Sequence, residues 1–119
     1  MKHLIDCPAE RAIYFLGGKW KIRILFSLLN NKKVRFGEFK KNLKTITQQM
    51  LSKQLKELEA DGIVNRKVIQ IMPPKVEYSL TEFGLSVMPI LRSFSEWNKR
   101  NTHTISSKLN KNFEENRIR

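Results

Sequence analysis

Apolar positions recur at helical spacing along most of the chain and take on strand character in one stretch. In "CPAERAIYFLGG", Pro8 suits a first helical position and Gly17 and Gly18 a stop, which predicts a helix over about 8–16. In "KWKIRILFSLLNN", Trp20, Ile24, Leu25 and Leu28 define a second amphipathic helix. "VRFGEFKKNL" gives a short third, with Phe36, Phe39 and Leu43 on one face. After "KTI", Leu51, Leu55 and Leu58 fall together on a helical wheel, which predicts a fourth helix N-capped by Thr47 and ended by Gly62. Two helices joined by a turn of three or four residues form a helix-turn-helix over about 36–61, here with no glycine in the turn.

The period then changes. "IVNRKVIQIM" and "KVEYSL" are rich in β-branched residues, and "MPPK" lies between them. This predicts a hairpin over about 63–80, a wing whose proline-braced tip carries Lys75. "SLTEFGLSVMPILRSFSEWNKR" reads as one long helix over about 81–100, capped by Thr81 and kinked at Pro89. Phe83, Val87, Ile90, Phe94 and Trp97 form its apolar stripe, widened by Met88 and Leu91. A chain this small needs one such face for its core, and the excess calls for a partner. Residues 101–119 are polar apart from Ile105, Leu109 and Phe113, and are expected as a short helix or a mobile tail. The fold class is therefore mainly α with a small β-hairpin: a single winged helix-turn-helix domain spanning 1–119.

Charge gives this architecture a partner. Lys and Arg number 23 against 11 acids among 119 residues, a net charge of +12, which favours a polyanion. On the fourth helix Gln49, Ser52, Lys53 and Lys56 face away from the leucines, with Gln48 on a flank. Lys53 and Lys56 precede Glu57, Glu59 and Asp61, an order opposed to the helix dipole. The order makes sense if the front of the helix enters a DNA major groove, where amide, hydroxyl and ammonium groups read base edges and phosphates, while the acids point away. The plainer alternative is a surface helix supported by pairs such as Lys53–Glu57. Lys75 would meet a phosphate from the wing, or the prolines merely limit edge pairing of an ordinary hairpin.

Other chemistries find little support. No apolar run reaches the roughly 20 residues of a membrane span, and "MKHLIDCPAE" has no apolar stretch of signal-peptide length, so no membrane partner and a cytoplasmic location are expected. Cys7 is the one cysteine, which excludes an internal disulfide, and with His3 and His103 it makes no metal set. "GGKWK" lacks phosphate-loop spacing. With no paired carboxylates in an apolar setting, no nucleophile–histidine pair and no cofactor loop, neither an enzyme nor a cofactor is expected.

The pieces "CP" at 7–8, "GGKW" at 17–20, "RFGEF" at 35–39, "ITQQMLSKQLKELEADGIV" at 46–64, "PPKVEYSLTEFG" at 73–84 and the spaced Pro89 and Trp97 run in order over most of the chain. Together the sequence resembles the HxlR family of bacterial winged-helix regulators, relatives of the MarR group. The resemblance implies a homodimeric transcription factor, often a repressor of a neighbouring gene, on an inverted-repeat operator in double-stranded DNA. Arg35, Thr47, Gln48, Gln49, Ser52, Lys53, Lys56 and Lys75 are then the expected DNA contacts. It also implies a dimer built by the first and last long helices, through Ile13, Leu16, Val87, Ile90, Leu91, Phe94 and Trp97. Two departures stand out: many relatives carry Arg or Lys at Gln49 and Gly near Thr45. In some relatives a cysteine at the position of Cys7 senses oxidants or electrophiles. Cys7 opens the first helix, whose unpaired amides offer partial positive charge; Lys2 and His3 add to it and Asp6 and Glu10 oppose it. The alternative is a packing role. The competing function is a non-specific nucleic-acid or ribosome-associated protein on the same fold, and the sequence names no small-molecule effector.

Overall fold

A computed structural model of the chain describes residues 7–118, with side chains through residue 113; Lys2, His3 and Asp6 lie outside the described residues. Seven helices and three strands follow one another among these residues: α1 (Pro8–Leu16), α2 (Lys21–Asn30), β1 (Val34–Arg35), α3 (Phe36–Leu43), α4 (Gln48–Ala60), β2 (Val64–Gln70), β3 (Lys75–Leu80), α5 (Glu82–Leu85), α6 (Met88–Arg100) and α7 (Thr102–Ile118). They form two compact units, one up to Ser86 and one from Val87 onward.

The first unit is built around aliphatic side chains and two aromatics. Leu51, Leu55 and Leu58 of α4 and Ile24, Leu25 and Leu28 of α2 are all buried, with Phe39 of α3 and Ile46 from the turn between α3 and α4. Phe39 meets Tyr78 edge to face at 6.0 Å, which ties α3 to β3. The sheet is antiparallel in the order β1-β3-β2, with Val34 opposite Tyr78 and Val64 opposite Leu80. Strand β1 is not expected from the sequence. Its two residues pair with β3 before the chain turns into α3, so "VR" is strand rather than the start of the helix.

Both ends of α4 are fixed by local chemistry. The Thr47 hydroxyl accepts from the Met50 amide at 3.0 Å. At the other end Gly62 takes φ +75°, and the amides of Gly62 and Ile63 donate to the carbonyls of Glu59 and Leu58. That is the pairing that closes a helix on a left-handed glycine. Thr81 then links this exit to the start of α5. Its hydroxyl donates to the Gly62 carbonyl and accepts from the Gly84 amide at 2.9 Å.

The expected long helix over 81–100 is interrupted. Helix α5 ends at Leu85 and a new helix, α6, begins at Met88 with Pro89 in its first turn. A proline inside a continuous helix would clash with the carbonyl four residues back, which is that of Leu85. Ending α5 there removes the clash and places Pro89 where its missing amide hydrogen is not needed.

The second unit is a helix pair. Asn101 separates α6 from α7, and its side-chain amide donates to the Trp97 carbonyl at 2.9 Å. The polar tail is helical here and runs 17 residues, longer than the short helix expected. Ile90, Phe94 and Trp97 of α6 and Leu109 and Phe113 of α7 are exposed. Leu16, Val87 and Leu91, expected at a dimer interface, are buried within one chain, so Ile13, Ile90, Phe94 and Trp97 are the members of that set still open to solvent. Among the described residues no helix is long and apolar enough to cross a membrane.

Candidate nucleic-acid interface

With its leucines turned inward, α4 shows its polar residues to solvent, and they line two open grooves. Thr47, Gln48, Gln49, Ser52, Lys53 and Lys56 surround the first. The second lies between α4 and the sheet and is lined by Gln48, Ser52, Lys56, Glu59 and Arg66, with Phe36, Val76 and Tyr78. A third runs from the start of α3 to the wing, past Arg35, Lys41, Pro74 and Lys75. Phe36 and Val76 border both the second and the third, so the expected DNA-contacting residues line adjoining grooves.

The turn before α4 is held from below. The Lys40 ammonium donates to the Ile46 carbonyl at 2.7 Å, and Lys44 takes a positive φ of 51°. Where the resemblance leads one to expect glycine near Thr45, this chain turns at Lys44 without one. Arg35 precedes α3, and its amide donates to the Glu38 carboxylate at 3.0 Å, a side-chain closure of the first turn. The Arg35 guanidinium stays half-exposed, 4.0 Å from Glu38.

The acids at the back of α4 do not all point away from the candidate interface. Glu59 lines the groove beside Arg66, which corrects the expectation for that residue. Glu57 accepts from the ammonium of Lys21 at 2.7 Å. Lys21 opens α2 and is only 8% exposed. The Lys21 hydrogen bond, which outweighs the opposing effect of burial, holds the Glu57 carboxyl below the ordinary glutamate range, and the charges of Lys21 and Lys53 add smaller pulls in the same direction. Glu57 therefore ties α4 to α2, and its bonded partner is Lys21 rather than Lys53. Among the described residues, neither Lys53 nor Lys56 is engaged in an ion pair. Their charges are left to solvent and to whatever approaches the face.

Sequence reasoning misses Arg66 and Lys41. Arg66 stands opposite Tyr78 in the β2–β3 register, and that pairing brings it to the α4 groove. Period-2 alternation within "VNRKV" offers a weak signal for it. Lys41 reaches its groove only through the packing of α3 against the wing, for which the local sequence carries no signal.

Cys7 is exposed at the N-cap of α1, and no side chain caps that helix. Among the described residues no cluster of His, Cys, Asp and Glu could hold a metal ion.

The family model described as HxlR-like helix-turn-helix matches residues 15–106. The chain is 48% identical over 101 residues to the HTH-type transcriptional regulator YybR of Bacillus subtilis, covering 85% of this chain and 80% of the relative. Among solved structures, the redox regulator HypR in its reduced form superposes with a TM-score of 0.80 at 46% identity, covering 85% of this chain and 99% of that one. The reduced form of the transcriptional regulator YodB from B. subtilis superposes with a TM-score of 0.69 at 35% identity, covering 81% and 94%.

Proposed function

Since the chain belongs to the HxlR-like helix-turn-helix family, whose relatives are transcriptional regulators, we propose that it acts as a homodimeric repressor on an inverted-repeat operator. The observation that carries this reading is the open face of α4. Gln48, Gln49 and Ser52 stand there beside Lys53 and Lys56, with Arg66 across the groove. Amide and hydroxyl groups on the front half of the helix suit base edges, and the ammonium groups suit the flanking phosphates. Arg35 and Lys75 extend the cationic track toward the wing.

The test is recovery of duplexes from a randomised pool, followed by footprinting and a salt titration. A regulator of this kind protects two related half-sites, and its log affinity falls against log salt with a slope of about −5 or steeper. Uniform protection of every duplex would favour the general nucleic-acid protein instead.

A redox response is a second reading. It is supported by the exposed Cys7 and by the similarity to the redox regulator HypR. Two Cys7 thiols from two subunits would lose two electrons and two protons to diamide and join as a disulfide. The change would fall beside α1, which this reading places at the dimer seam, and would shift the spacing of the two α4 helices. Gel-shift titration with and without diamide decides it. Wild type weakens under diamide and Cys7→Ser does not; equal responses leave Cys7 a packing role.

A further inference from the structure

The wing ends in an apolar apex. Ile71 and Met72 are 82% and 84% exposed, higher than any other large hydrophobic side chain among the described residues. They share a four-residue connection with Pro73 and Pro74, between Gln70 and Lys75, which lie opposite each other in the ladder. The Gln70 side-chain amide donates to the Met72 carbonyl at 3.0 Å and braces the connection. Two prolines narrow its conformations further.

An apex without charge cannot neutralise a phosphate. Cations stand behind it: Lys75 at its base, Lys67 opposite Glu77 along the ladder, and Arg66 further back at the α4 groove. From Arg66 to Gln70, where β2 ends, is four residues of strand, about 13 Å at strand rise, with one register irregularity between Val68 and Gln70, and Ile71 follows in the connection. With Arg66 at a major groove some 12 Å wide, that reach carries the apex past the phosphate ridge to the adjoining minor groove. Ile, Met and Pro are side chains that enter a minor groove as wedges between base steps, unstacking them and kinking the duplex.

We propose that Ile71 and Met72 form a minor-groove wedge that partly unstacks one base step beneath each wing and bends the bound DNA. The proposal rests on the DNA-binding reading above. The cations behind the apex would hold the backbone on either side while the apolar tip leaves water for the stack. Bending would then add sequence preference at a step whose edges the protein never reads, with flexible pyrimidine–purine steps favoured.

The experiment uses the full chain and a duplex that wild type itself recovers from a randomised pool. Adenines flanking each half-site are replaced one at a time by 2-aminopurine, and the bend is measured by circular permutation. Wild type is expected to raise 2-aminopurine fluorescence at one step per half-site and to bend the duplex by about 20–90°. Ile71→Ser/Met72→Ser, altered only at exposed positions, should keep its circular-dichroism spectrum and bind the same duplex without the fluorescence rise or the bend. Binding by wild type with no unstacked step, or unstacking and bending retained by the double variant, overturns the wedge and leaves the DNA-binding reading intact. Failure of wild type to retain any duplex overturns both.

Discussion

Lys44 holds φ 51° and ψ −66° in the turn that delivers the chain to α4. A side chain held at this positive φ, outside the left-handed helical well, costs roughly 1–3 kcal/mol, much of which glycine avoids. Lys44→Gly is therefore expected to be more stable than Lys44→Ala by about 1 kcal/mol, since glycine's looser unfolded chain offsets part of the relief. Denaturant unfolding of the two variants checks this, and equal midpoints would show that the turn relaxes without cost. Glu57 gives a prediction with a sign. Its carboxyl is held below the ordinary glutamate value of 4.5, first by the hydrogen bond from Lys21. The folded protein thus binds this proton less readily than the unfolded chain. The pair stabilises the fold above the ordinary glutamate range, and that contribution is lost as pH falls through the lowered folded value. Glu57→Gln should melt below wild type near neutrality, where it leaves the Lys21 charge buried without its partner, and the gap should close on acidification through and below pH 4.5. A gap that stays constant into acid would remove the pair's electrostatic role.

Among the elements, α4 and the wing should fail in different ways. Gln49→Ala or Ser52→Ala should relax preference at particular base pairs, at a cost of about 1–3 kcal/mol on the recovered site. Lys75→Ala should weaken every duplex nearly equally and lower the salt slope by about one for each phosphate no longer neutralised. Competition assays with single-base variants separate the two, and base preference that follows Lys75 instead of Gln49 would reverse the roles. Helix α4 is legible in the sequence because its signals are local. The leucine spacing, the Thr47 cap and the Gly62 exit all lie within one run of residues. The hairpin is legible for the same reason, through β-branched runs around two prolines. Strand β1 is not, because two residues carry no periodicity and its existence depends on β3, some 40 residues away. The break before Pro89 reads as a kink in the sequence, since one proline fits the first turn of a new helix as well as the middle of an old one. Most of the candidate DNA face can be read from the wheel of α4, whereas Arg66 is brought to it by the β2–β3 pairing and Lys41 by the packing of α3 against the wing.

At the scale of the whole molecule the unanswered demand is the apolar surface on α6. Ile90, Phe94 and Trp97 recur at helical spacing and are each at least 41% exposed. In water such a stripe is a liability for a lone chain, and a second copy would remove it symmetrically, residue against residue about a two-fold axis. Phe94 is the member best suited to a test. It is 50% exposed, so Phe94→Asp does not bury a charge in a lone chain, and the fold should survive. In a dimer the same change sets two carboxylates into an apolar seam, each desolvated without a partner. Sedimentation should therefore find wild type at twice the chain mass of 14.1 kDa and Phe94→Asp at the single mass, with matching circular-dichroism spectra. The effect on DNA follows from the same geometry. A dimer presents two α4 helices at once, and the second half-site is bound at a high effective concentration, which raises affinity by roughly 10²–10⁴-fold over one half-site. The monomeric variant should lose that factor on a two-half-site duplex and very little on a duplex carrying one half-site. A Phe94→Asp protein that still sediments as a dimer would place the seam elsewhere on the chain, and a monomer with undiminished two-site affinity would show that the two half-sites are read independently.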